Sequence, residues 1–99
     1  MNEFALEAQR QGEELAAAVR KMERAMTTSL IRDRDSGRLS PAYADRMLDA
    51  LESGESPLHW LDVDTVTRDE AWAALLVHKV IDVRSEAEER LRKETAHAQ

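Results

Sequence analysis

A histidine and an aspartate at helical spacing are the first candidates for chemistry. His78 lies four residues before Asp82, so on a helix the two side chains share a face. Such a pair could act as a base held by a carboxylate, or as half of a metal site. No second histidine or carboxylate stands at a spacing that completes a ligand set. The pattern therefore favours a surface histidine with a local ion pair.

The remaining carboxylates are typical of solvated helix surfaces. They alternate with basic residues at steps of three and four, as Arg20 does with Glu23 and Glu86 with Arg90. We therefore expect no metal site and no cofactor. The chain contains no cysteine, which excludes disulfides, thiolate metal ligands and a cysteine nucleophile.

A group of basic residues could contact phosphate, but it is weak as a nucleic-acid motif. Acidic residues interrupt it, the net charge of the chain is −6, and no compact helix-turn-helix is predicted. We expect no direct binding to nucleic acid. The group comprises Arg20, Lys21, Arg24, Arg32, Arg34 and Arg38.

Charge is segregated along the chain. Residues 47–75 contain seven acids and one base, whereas residues 20–46 contain seven bases and four acids. Segregation of this kind can orient partners or protomers, although blocks of this size are also common on solvated helices. A further possibility is that the acidic region mimics a nucleic-acid backbone.

The acidic region surrounds a short apolar segment that contains a tryptophan. An aromatic anchor with charged residues around it is typical of protein-binding hot spots. The alternative is that Trp60 plugs the end of the helical bundle. We predict a partner-binding site formed by Leu58, His59, Trp60, Leu61, Asp62 and Asp64.

The elements that must position these residues are all predicted to be helical. Helix-forming residues are abundant, and only three glycines and two prolines interrupt the 99 residues. Ser40-Pro41 begins a helix, Ser56-Pro57 begins a single turn, and Thr67 with Glu70 forms a capping box. The predicted fold is all-α, a single domain of two long antiparallel helices with one or two short helices between them. The boundaries are about 3–34, 41–53, 57–62 and 68–94, with a frayed tail at 95–99.

Apolar residues at steps of three and four mark a buried face on each long helix. On the first helix this stripe runs from Phe4 to Leu30, and on the third from Trp72 to Leu91. The short middle helices cannot cover both long ones, and surplus apolar surface needs a partner. We therefore predict a homodimeric helical bundle. The predicted oligomer interface comprises Leu75, Val77, Ile81, Met22 and Met26.

Together these features favour a non-enzymatic function. We predict a helical interaction module that acts on another protein as adaptor, inhibitor or assembly factor. The alternatives are a small helical enzyme, a small-molecule-binding protein with a pocket between helices, and an acidic nucleic-acid mimic. The N-terminus lacks a signal-peptide pattern, and the longest apolar run is far short of the roughly 20 residues that span a bilayer. The expected location is therefore the cytoplasm, with no membrane partner.

Overall fold

Three α-helices and one 3₁₀ turn form the described part of the protein. The computed structural model describes residues 3–98, and the side chains of residues 3–93. Within these limits there is no strand, and the predicted all-α class is confirmed. No helix in this part of the chain is long and apolar enough to cross a bilayer. The helices are α1 (Glu3–Asp35), α2 (Pro41–Ser53) and α3 (Arg68–Ala98), and the 3₁₀ turn is Pro57–His59.

α1 ends in a turn that requires glycine. Gly37 has a φ of 80°, in the left-handed region that residues with a β-carbon disfavour. The backbone N–H of Leu39 then donates to the carbonyl of Asp33 at 3.1 Å. The turn thereby carries Leu39 into the core, where its side chain is buried.

Both ends of α2 follow the capping signals in the sequence. The Oγ of Ser40 accepts a hydrogen bond from the backbone N–H of Tyr43 at 3.3 Å, and Pro41 occupies the first turn. Gly54 ends the helix with a φ of 81°. A β-carbon at Gly54 would lie 2.9 Å from Nη2 of Arg84. The end of the Arg84 side chain could shift to admit a β-carbon, so it is the left-handed backbone conformation that requires glycine at this position.

α3 begins at the capping residue expected from the sequence. The Oγ1 of Thr67 accepts a hydrogen bond from the backbone N–H of Glu70 at 3.1 Å. The helix continues through Ala98, beyond the predicted boundary at 94, because the sequence there contains no glycine or proline to stop it. The helix therefore includes residues 95–98 of the predicted tail, whose fraying stays a prediction, and Gln99 lies outside the described residues.

The core lies where the second half of α1, α2 and the first half of α3 meet. Leu30, Leu39 and Met47 supply large side chains that are almost fully buried. The first turns of α3 supply the small residues Ala73 and Ala74, because the larger side chains of α1 and α2 already fill the space there. The cluster comprises Met26, Leu30, Leu39, Tyr43, Ala44, Met47, Ala50, Leu51, Ala73, Ala74, Val77, Val80 and Ile81.

The buried face of α3 is rotated from the predicted stripe. Trp72 is 63% exposed and Leu76 is 39% exposed, whereas the neighbouring Ala73 and Ala74 are buried. The prediction placed the largest apolar side chains inward. The structure places alanines there, because close approach of α3 to the large side chains of α1 and α2 leaves no room for tryptophan or leucine.

This rotation corrects part of the predicted oligomer interface. Val77, Ile81 and Met26 are buried in the core of the chain itself, so they are not surplus apolar surface. Met22 is partly buried against the same core, and Leu75 is exposed. Of the five predicted residues, only Leu75 and the uncovered part of Met22 are accessible, and their contact with a second chain stays a prediction.

Candidate protein-binding surface

The predicted partner-binding segment lies between α2 and α3, on a backbone held by local hydrogen bonds. The Oγ of Ser56 accepts from the backbone N–H of Leu58 at 3.2 Å and so starts the 3₁₀ turn, with Pro57 in its first position. Further along, Oδ1 of Asp62 accepts from the backbone N–H of Asp64 at 3.0 Å. These bonds define how the loop presents its side chains.

The six predicted residues divide into an inward pair and an outward group. Trp60 and Leu61 are partly buried and pack against the core. The others, Leu58, His59, Asp62 and Asp64, are exposed. The structure therefore does not display the segment as one continuous outward-facing site.

Trp60 also stacks on an arginine from α2. The guanidinium carbon of Arg46 lies 3.7 Å from the centroid of the indole ring, a cation–π geometry worth about 0.5–1 kcal/mol at an exposed position. Arg46 was not a candidate from the sequence, because no local pattern relates it to Trp60. This packing agrees with the role of a plug, and binding of a partner by Trp60 stays a prediction.

Val63 adds an exposed apolar side chain that the sequence-based prediction omitted. It is 77% exposed, between the exposed Asp62 and Asp64. The available signal was a valine between two acids in a loop, where no buried face accounts for it. We use the name loop surface for the exposed residues Leu58, His59, Asp62, Val63 and Asp64.

The exposed acids from the second half of α2 to the start of α3 form no ion pair with a basic side chain that the structure describes. Six exposed acids lie between the second half of α2 and the start of α3. None of them is within 4.0 Å of a basic nitrogen among the described side chains. Their negative potential extends over a Debye length, about 8 Å at physiological salt, and attracts basic groups. The six are Asp49, Glu52, Glu55, Asp62, Asp64 and Asp69.

His78 bonds to a serine rather than to Asp82. Its Nδ1 lies 2.7 Å from Oγ of Ser56, a bond that joins the 3₁₀ turn to α3. Asp82 is exposed, and the ion pairs among the described side chains include none between it and His78. The expected ion pair is therefore wrong, because the turn brings a buried hydroxyl against the imidazole. Among residues 3–93, no three or more His, Cys, Asp or Glu residues form a group that could hold a metal ion.

The predicted basic group is divided between residues that form ion pairs and residues that face solvent. Nη1 of Arg34 donates to Oδ1 of Asp45 at 2.9 Å and so fastens the end of α1 to α2. This hydrogen bond raises the pKa of Arg34. Arg20, Lys21 and Arg24 are exposed on α1. The six basic residues therefore do not share a single role.

Arg84 joins all three helices, although no local sequence pattern predicted this role. Its Nη1 donates to the backbone carbonyl of Leu51 at 2.9 Å and lies 3.8 Å from Oε2 of Glu23. Leu51 is in the last turns of α2, where the helix dipole favours a nearby cation. Arg84 therefore positions the end of α2, from which the chain continues into the predicted binding segment.

Alkaline pH is expected to destabilise the protein through Tyr43. Its hydroxyl donates to the backbone carbonyl of Glu70 at 2.6 Å, and burial, with Glu70 as a second cause, raises the pKa of Tyr43 to about 12. The pKa in the unfolded chain is about 10. The folded state thus favours the neutral phenol. The stabilisation is complete below pH ~10 and is lost as pH rises from ~10 to ~12.

Urea unfolding at pH 8 and pH 11 tests this expectation. The free energy of unfolding should fall by about 1.4 kcal/mol more in the natural protein than in Tyr43→Phe. The phenylalanine variant is the control for every other effect of alkaline pH on stability. An equal fall in both proteins would show that Tyr43 is not the cause.

Function is not indicated by similarity. No known protein family, curated protein or solved structure matches the chain. A functional proposal therefore depends on the residues and contacts described above.

Proposed function

We propose that the protein is a non-enzymatic helical module that binds another protein and acts on it as adaptor, inhibitor or assembly factor. The proposed binding site is the loop surface, and the proposed partner presents basic and apolar side chains. The observation that carries this proposal is the combination of unpaired acids with two exposed apolar residues, Leu58 and Val63, on one short stretch of loop.

The charge and the apolar residues have separate parts in the proposed interaction. Unpaired acids accelerate the encounter with a basic partner protein and repel acidic proteins. Leu58 and Val63 supply apolar area, whose removal from water stabilises a complex by about 25 cal/mol per Å². In residues 3–93 no buried side-chain nitrogen or oxygen lacks a hydrogen-bond partner. No unsatisfied polar group therefore supports the alternative of a ligand pocket between the helices.

We further propose that α1 and α3 run antiparallel and that two copies of the chain associate. Two contacts support the direction of the helices. Arg34, at the end of α1, pairs with Asp45 of α2. Tyr43, in the first turn of α2, donates to the carbonyl of Glu70 at the start of α3. The end of α1 and the start of α3 therefore both lie beside the first half of α2.

Affinity capture with a loop variant tests the proposed binding site. The natural protein and the triple variant Asp62→Asn, Val63→Ser, Asp64→Asn are immobilised and exposed to a lysate of the source organism. Asparagine at 62 keeps an oxygen that can accept from the backbone N–H of residue 64, so the loop should retain its fold. Proteins retained by the natural chain and lost by the variant, identified by mass spectrometry, are the expected result.

A second variant controls for general loss of negative charge. Asp82→Asn with Glu88→Gln also removes two exposed acids, but from α3 rather than from the loop. It should retain the same proteins as the natural chain. Identical capture by the loop variant and the natural protein would contradict the proposed site.

A further inference from the structure

We draw no further inference here: the strongest candidate, the exposed apolar patch of Trp72, Leu75 and Leu76 on the first half of α3, carries none, because nothing in the structure shows what covers it.

Discussion

Leu30→Ala is expected to lower the free energy of unfolding by about 3–4 kcal/mol, the largest loss that we predict for a single substitution. Leu30 is 1% exposed and belongs to the cluster in which α1, α2 and α3 meet. The loss combines the transfer of the missing methyl groups with the cavity that remains, because close-packed neighbours collapse only in part. Small domains are stable by about 5–15 kcal/mol, so the variant should unfold at much lower urea concentration.

Ile31→Ala is the matched control for this measurement. Ile31 is the adjacent residue, has the same number of carbon atoms and is 37% exposed. Its replacement should cost about 1 kcal/mol or less. Both variants are compared with the natural protein by urea unfolding at one fixed protein concentration, because dimerisation would add a concentration-dependent term. Similar losses for the two variants would show that the buried face of α1 is misplaced.

Helix boundaries were predictable because the signals that set them are local. A serine that caps a helix acts on a backbone N–H three residues away, as Ser40 does with Tyr43, and Thr67 acts in the same way on Glu70. The glycine at the end of α2 is equally local, since the left-handed conformation of Gly54 depends on that residue alone. Such signals need no knowledge of the rest of the fold.

The orientation of α3 was not predictable in this way. Its first turns contain apolar residues on nearly every side, so spacing alone does not decide which of Trp72, Ala73 or Ala74 turns inward. The decision depends on the large side chains that α1 and α2 bring to the same place. Phe4 shows the same limit on α1, since it fits the predicted stripe but is 79% exposed.

For a related reason, only part of the structure of the binding segment could be predicted from the sequence. Composition indicated an apolar segment among acids, and four of the six predicted residues are exposed. The contact of Arg46 with Trp60 and the bond of Arg84 to the Leu51 carbonyl join residues far apart in sequence. Single-sequence patterns carry no information about such pairs. Which residues of the segment pack against the core and which are exposed can therefore be identified only from the folded structure.

Trp60→Ala is the second prediction with a large effect, and it separates the two interpretations of the tryptophan. The ring is partly buried against the core and stacked under the guanidinium of Arg46. Truncation of a fully buried aromatic costs about 3–5 kcal/mol, so for this partly exposed ring we expect about 2–3 kcal/mol. Trp60→Phe, which keeps an aromatic ring, should recover most of that loss.

A double-mutant cycle with Arg46 isolates the stacking contribution. Arg46→Ala alone should cost about 0.5–1 kcal/mol, and its effect should vanish in the Trp60→Ala background if the two side chains stabilise the fold through each other. Urea unfolding of the four proteins gives the coupling energy, and affinity capture with the same four proteins gives the effect on binding.

The two readouts together decide what Trp60 does. A structural plug lowers stability when truncated, and Trp60→Phe then restores both stability and capture. A binding anchor behaves differently, because the free protein keeps its stability in Trp60→Ala while the captured partner is lost. The packing of the ring against the core favours the first result. In that case the binding energy must come from the exposed Leu58, Val63 and the acids beside them, as the proposed function requires.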